Sequence, residues 1–289
     1  MSIAYEFSRA SGESIVNCHW LGLRFDEEHE FTPSDGESWI GQNTIDGRSY
    51  THMSQRGWMT GLWRTESKVW VSEADGRVYM NPSFAPNTEP WQTFDLEGSI
   101  TGIWGLSDKL VFAWGVVHPN TPRAYCYNGK SWRQVDTPGF IGAVRGPSKD
   151  LIYAVGQQGL IARWDGNAFR AVHSPTESNL SDVFVESEDE IYAASPDGVL
   201  LSGTVHGFEE LLLFDGMLHC VAKWGGDVWV GAGDAGLFKV VDEELELIKP
   251  TVKAEQFDAR EALLISTPGA IAETRSEERR VGKECATGC

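Results

Sequence analysis

Three observations predict an all-β fold, a β-propeller of four-stranded blades, with seven blades preferred and six as the alternative. One short plan recurs along most of the chain, two periodicities run locked in phase, and helical patterning is almost absent. The plan appears in VWVSEADGRVYM (69–80), LVFAWGVVHPNTPRAYCY (110–127), LIYAVGQQGLIARW (151–164), EIYAASPDGVLLSG (190–203) and DVWVGAGDAGLFKV (227–240), and more weakly in LLISTPGAIAET (263–274). A single four-stranded unit cannot bury both faces, so stability has to come from stacking such units in a ring.

The first periodicity is a bulky anchor: Trp70, Phe112, Tyr153, Tyr192, Trp229 and Leu263, at spacings of 42, 41, 39, 37 and 34 residues. The second is an upstream h-x-x-h element, where h is apolar, in MTGLW (59–63), ITGIW (100–104), IGAVR (141–145), LSDVF (180–184) and LHCVA (218–222). Its fourth residue (Leu62, Ile103, Val144, Val183 or Val221) precedes the anchor by eight or nine positions each time. Each unit then reads as four strands. The first is the h-x-x-h element, the second carries the anchor, the third follows a Gly-containing turn, and the fourth follows a turn such as Trp164-Asp165-Gly166-Asn167. Asp-Gly and Asn-Gly suit two-residue hairpins because both central positions need positive φ. Trp91, Trp132 and Phe169 occupy matching places in the fourth strands, where an aromatic side chain fills the space between blades.

The single propeller domain covers 1–274. Clear blades are expected at 56–98, 99–138, 139–177, 178–215 and 216–251, and a partial last blade at 252–274. The region 1–55, with GESWIGQN at 36–43, supplies a further blade or the strand that closes the ring. The one stretch with helical character, AEQFDAREALL (254–264), competes with the repeat register. Residues 275–285, RSEERRVGKEC, resemble the conceptual translation of a common sequencing adapter, which implies a non-native tail over 275–289.

The pattern from Tyr153 to Phe169 resembles the divergent propellers grouped as WD-repeat, YVTN and BNR-like proteins, most closely the BNR-like form aromatic-V-G-x-x-G-x-I-x-x-W-D-G-x-x-W. The resemblance spans roughly 56–274 and implies architecture rather than chemistry. Trp164-Asp165 lies at the turn into a fourth strand, not at the end of a third, and no histidine follows glycine as Gly-His. Gly225-Gly226 is a single pair, and Ser195-Pro196-Asp197-Gly198 falls short of a sialidase Asp box.

Formal net charge is −18, and −19 once the tail's net +1 is removed. Such a balance disfavours binding to nucleic acid, which needs Lys/Arg stripes, and fits a soluble protein that repels anionic surfaces or one whose protein partner is basic. Cys18, Cys126 and Cys220 are widely spaced, so neither a disulfide framework nor a metal site is expected. No cofactor motif appears, and no GxSxG, HExxH or phosphate-binding loop. The start lacks a signal-peptide pattern, and no apolar run reaches the length of a membrane span. A cytoplasmic monomer is therefore expected.

Turns joining second to third strands share one face of a propeller with the connections between blades. They place Asp75, His118, Gln157, Gln158, Asp197 and Asp234 around one rim as candidate binding residues; no catalytic residue is nominated. The insertion GVVHPNTP (115–122) breaks the repeat on that face, a common location of specificity. Thr60, Thr101, Ser181 and His219, with Gly142, recur at one first-strand register and are expected to line the channel. The acidic runs DEEHE (26–30) and ESEDE (186–190) read as solvated turns without calcium-loop spacing. The expected function is a non-enzymatic module that binds protein through its loop face. The alternatives are a sialidase-like glycoside hydrolase or lyase, which needs an arginine cluster or a close carboxylate pair at the channel mouth, and an immunity-type protein that binds a basic toxin.

Overall fold

The computed structural model describes residues 3–26, 36–85 and 90–274. They form seven antiparallel sheets arranged as blades over 3–56, 59–95, 99–135, 141–172, 182–213, 220–249 and 256–274. Each of blades 1 to 6 is a four-stranded meander, and blade 7 has three strands among the described residues. First strands of successive blades touch in order, and the first strand of blade 1 also meets that of blade 7, so the ring closes at seven. The segment 1–55 thus contributes a whole blade, with GESWIGQN in its third strand, Glu37–Asn43.

Register repeats along with sequence. In blades 2 to 6 the anchor pairs with the residue just after the h-x-x-h element: Trp70 with Trp63, Phe112 with Trp104, Tyr153 with Arg145, Tyr192 with Phe184, and Trp229 with Ala222. The same rule gives Leu263 opposite Ala259 in blade 7 and His19 opposite Ser11 in blade 1. His19 is therefore the blade 1 anchor, nine residues after buried Ala10, which takes the place of Leu62. All these anchors are buried except Tyr192, which is half-buried.

Fourth-strand aromatics pack back onto the preceding blade. Trp132 lies 5.8 Å from Trp70, Phe169 5.4 Å from Phe112, and Phe208 5.9 Å from Tyr153. Trp91 packs against the cluster of Leu21, Ile40 and Met59 between blades 1 and 2. Six apolar clusters result, one for each junction from blade 1–2 to blade 6–7. None spans the junction of blades 7 and 1 among the described residues.

That seam is polar instead. Buried Asp258 accepts hydrogen bonds from the Ser11 hydroxyl (2.8 Å), the Gly12 amide (3.0 Å) and Arg260 Nε (3.1 Å). Arg260 also donates to Glu13 (3.2 Å), to Ser11 Oγ (3.2 Å) and to the carbonyl of Arg64 (2.7 Å), tying blades 7, 1 and 2 together. Gln256 accepts from the Ala10 amide, and backbone bonds run from Phe7 to Pro268 and from Ala262 to Glu13.

Some expectations hold and others change. The stretch 254–264 is not helical; it supplies the strands Gln256–Ala259 and Leu263–Thr267, because the register of Leu263 overrides local propensity. The insertion 115–122 is mostly strand, with Gly115, Val116 and Val117 paired to Arg123, Pro122 and Thr121, so only His118–Asn120 project as a turn. A second long connection, between Arg77–Asn81 and Gln92–Asp95 in blade 2, also departs from the repeat. The Trp164-Asp165-Gly166 segment is a tight turn: Asp165 accepts the amides of Ala168 and Asn167, and these bonds with Arg170 hold its carboxyl down to about 2. Residues 27–30 of the DEEHE run and the tail 275–289 lie outside the described residues.

Candidate functional site

First strands line the axis of the ring. Thr60, Thr101, Gly142, Ser181 and His219 all border a narrow channel of about 260 Å³, as their shared register predicts, and Gln256 joins them from blade 7. Each of the three hydroxyls donates to backbone or sits beside it: Thr60 to Ile100 O (2.8 Å), Thr101 to Trp114 O (3.3 Å), and Ser181 to His219 O (3.0 Å). They therefore brace neighbouring strands as well as wetting the channel. Arg9 enters the channel from blade 1, and burial, then Arg145, draws its pKa downward.

Beyond the channel, at the end formed by turns between first and second strands, the shaft opens into a cavity of about 670 Å³. The residue after each h-x-x-h element reaches it: Trp63, Trp104, Arg145, Phe184 and Ala222, with Ala259 from blade 7. Those five letters close MTGLW, ITGIW, IGAVR, LSDVF and LHCVA, so the signal for this ring was in the repeat. Successive side chains of a strand face opposite ways. The second and fifth positions are also separated along each first strand, so they make two layers, a wet channel below a mouth walled by Trp63, Trp104, Arg145 and Phe184.

Trp63 is the centrepiece of the mouth. Its indole donates to Gly105 O (2.8 Å), and its ring lies 4.9 Å from the guanidinium of Arg145 and 5.4 Å from that of Arg260. Such cation–π contacts contribute about 0.5–2 kcal/mol each, depending on desolvation. Arg145 donates to Val144 O (2.8 Å) and approaches Asp182 at 3.6 Å. Burial pushes the Asp182 carboxyl upward, opposed by Arg145 and the Val221 amide. Arg64 donates to Asn17 O (2.8 Å) beneath the ring of Phe84, 3.9 Å away, and burial lowers it to about 10. Arg260 is the most heavily hydrogen-bonded of the three, whereas the buried Nε of Arg64 has no hydrogen-bond partner among the described residues. Exposed Glu66 and Glu186 stand at the lip, the latter from the ESEDE run.

The candidate rim residues lie at the other end. Asp75, His118, Gln157, Gln158, Asp197 and Asp234 are all exposed on turns between second and third strands of blades 2 to 6, and none lines the cavity. Asp75 is paired with Arg77, and Asp234 with Lys253 at 2.6 Å. Gln158 takes a left-handed φ of 56° and its amide donates to Asn179 Oδ1 (3.0 Å). The described cysteines are buried and free, and burial pushes the thiols of Cys18 and Cys126 up to about 11. Cys18 and His19, adjacent in the strand, face opposite sides and form no nucleophile pair. Among the described residues no three His, Cys, Asp or Glu side chains converge as metal donors.

No protein-family model and no curated protein matches this sequence. Solved structures do. The chain is similar to the WD40 β-propeller domain of Doa1, with a TM-score of 0.71 at 11% identity, covering 95% of this chain and 98% of that one. It is similar to YCF48 bound to D1 peptide, with a TM-score of 0.65 at 11% identity, covering 96% and 94%. A third likeness is to the computationally designed Ika8 protein, with a TM-score of 0.60 at 13% identity, covering 94% and 96%. At these identities the likeness is one of fold: the chain is a seven-bladed propeller whose structural neighbours are WD40 and related β-propellers.

Proposed function

We propose that this propeller is a non-enzymatic module that binds another protein, and that the mouth around Trp63, Trp104, Arg145 and Phe184 receives an extended segment of that partner. One observation carries the reading: four consecutive blades place a large side chain at the same register around a cavity of about 670 Å³. That volume falls within the range typical of ligand pockets. Half-buried Trp63, Leu106 and Phe184 offer apolar surface, and the acidic lip of Glu66 and Glu186 favours basic residues beside the inserted side chain. The similar fold of YCF48, solved with a peptide bound, supports a peptide ligand for this architecture. Residence in the cytoplasm as a monomer belongs to the same proposal, and a basic toxin is one partner that would fit it.

Peptide-array selection with the pure protein tests the reading. Selected peptides should combine an aromatic residue with Lys or Arg, and lose at least tenfold in affinity to the Glu66→Lys, Glu186→Lys double variant. Hydrogen exchange should slow at 63–67 and 184–187. Peptides that bind the double variant equally well would sink the proposal. The arginine-lined mouth also favours a second reading, a sialidase-like hydrolase or lyase; however, Asp258 and Asp182 are each tied to an arginine and a backbone amide. Turnover of an acidic glycoside by pure protein would replace the first reading with the second.

A further inference from the structure

Blade 4 departs from the repeat in its charges. Residues paired across adjacent strands share one face of a sheet. In blades 2 to 6 one such row can be followed outward from the mouth through all four strands, and in blade 4 it reads Arg145, Tyr153, Arg163, Arg170. The outer pair of the same row is Met80–Gln92 in blade 2, Cys126–Arg133 in blade 3, Ser202–Glu209 in blade 5 and Lys239–Glu246 in blade 6. Among these five blades, blade 4 alone sets two like charges directly opposite each other, an arrangement that destabilises a sheet. The repeat does not require it, since the neighbouring blades close without it.

The two arginines line a groove of about 430 Å³ together with Lys149, Asp150, Trp164 and Asp165. It lies where the turn between the first and second strands of blade 4 meets the turn between the third and fourth. Its walls are held in place. Half-buried Arg163 donates to the carbonyl of Asp150 (2.9 Å), and Asp165 is committed to the Asn167 and Ala168 amides and to Arg170 at 2.8 Å. Arg163 and exposed Lys149 form no ion pair among the described residues. Three cations against two carboxylates leave the lining at a formal +1, in a chain of −18. Arg133 adds a further cation beside it, 5.7 Å from the Trp164 ring. Exposed charges beyond about 8 Å are largely screened at physiological ionic strength, so this local excess outweighs the acidity of the chain as a whole.

We propose that the groove formed by Lys149, Arg163 and Arg170 binds a phosphoryl group, carried by free phosphate or by a phosphorylated side chain. A guanidinium presents paired N–H donors that match an oxyanion bidentately. A phosphoryl group offers three oxygens and about −1.5 to −2 of charge, enough to meet two guanidiniums and an ammonium together. A carboxylate, with two oxygens and one charge, leaves part of that set unmatched. A phosphoryl group between Arg163 and Arg170 also relieves their like-charge pairing, which gives the irregular row a use. The site does not depend on the mouth binding anything.

The test follows the arginine Nε–Hε signals of the full chain by NMR, with Arg163 and Arg170 assigned from their Gln variants. Three probes are titrated at physiological salt: inorganic phosphate, a short Gly/Ser peptide with one phosphoserine, and the same peptide with Glu in its place. Phosphate or the phosphoserine peptide should move both signals, and the Glu peptide should need at least tenfold more. The stronger of the two phosphoryl probes identifies the source. Affinity should fall about tenfold in Lys149→Gln and in Arg163→Gln, and by less in Arg163→Lys, which keeps the charge and loses the fork. Lys249→Gln, an exposed cation on blade 6, should leave it unchanged. Lys149 is exposed, so circular dichroism of Lys149→Gln should match the parent even if the Arg163 variants fold poorly. Unmoved signals with both phosphoryl probes, equal binding of the Glu peptide, or an equal loss in Lys249→Gln would each overturn the proposal.

Discussion

Replacing His19 by Phe should make the protein less sensitive to acid. His19 occupies the position that Trp70, Phe112 and Tyr153 fill in other blades; it is fully buried, and neither ring nitrogen has a hydrogen-bond partner among the described residues. His52 lies 5.2 Å away and Phe84 5.7 Å. Burial, then the positive field of Arg64, holds its pKa well below the ordinary histidine value. A histidine depressed in the folded state stays neutral there while the unfolded chain takes up a proton. Its stability contribution is therefore complete above about pH 6.5 and declines as pH falls toward the folded pKa, by about 1.4 kcal/mol per pH unit. Between pH 7.5 and 5.5 the parent should lose about 1.4 kcal/mol more than His19→Phe. His52, also depressed by burial, and Asp182, raised by burial and so of opposite sign, are common to both proteins and cancel in the difference. At pH 7.5 the variant should be no less stable, since it removes a buried imidazole N–H whose orphaning costs about 1–3 kcal/mol. Urea unfolding at the two pH values measures both quantities. Parallel losses in the two proteins would refute the assignment of His19 as the acid-sensitive anchor.

Arg260→Leu should cost about 3–5 kcal/mol, because it strands Asp258 in the polar seam; a loss of unfolding free energy under about 0.5 kcal/mol in urea titration would argue that the seam closes without it. Gly156→Ala places a Cβ 1.8 Å from Phe140 O, against backbone that cannot yield, and should lower stability by about 1–3 kcal/mol in thermal melts. Gly166→Ala meets no atom within 4 Å but must hold a φ of +93°, so its cost should be backbone strain alone, about 1–2 kcal/mol. With Cys285 and Cys289 replaced by Ser, native protein at pH 8 should resist iodoacetamide, because Cys18, Cys126 and Cys220 are buried with thiols raised by burial; rapid modification would contradict that packing.

Much of the ring was legible because the anchor and the h-x-x-h element are apolar in five blades, and apolar residues at fixed spacing are what a stacked sheet requires. Blade 1 was hard to read for a physical reason. Its anchor is a histidine and its fifth-position residue is Ser11, so the register is kept while the hydrophobic signal is lost. Blade 7 has Asp258 where blades 2 to 6 have Leu, Ile or Val, since that strand faces a polar seam. The channel residues followed from register alone. The mouth did not, although Trp63, Trp104, Arg145 and Phe184 were in the repeated segments, because a bulky residue ending a strand looks like core until strand divergence opens a cavity beside it. Phe84 was out of reach, because it arrives from the long blade 2 connection and carries no periodicity.

The seam between blades 7 and 1 also settles how many blades there are. Six junctions are apolar, and one apolar face accepts another with little discrimination. Blade 1 offers Ser11, Gly12 and Glu13 to its neighbour, and only a surface bearing a carboxylate and a guanidinium at the right places satisfies all three. Blade 6 meeting blade 1 would bury those groups against Trp229 and Leu237, and a blade from another molecule would have to reproduce Asp258 and Arg260 in register. The closing joint acts as a counter: it lets the chain shut after the seventh blade and penalises closing early or opening into a swapped chain of rings.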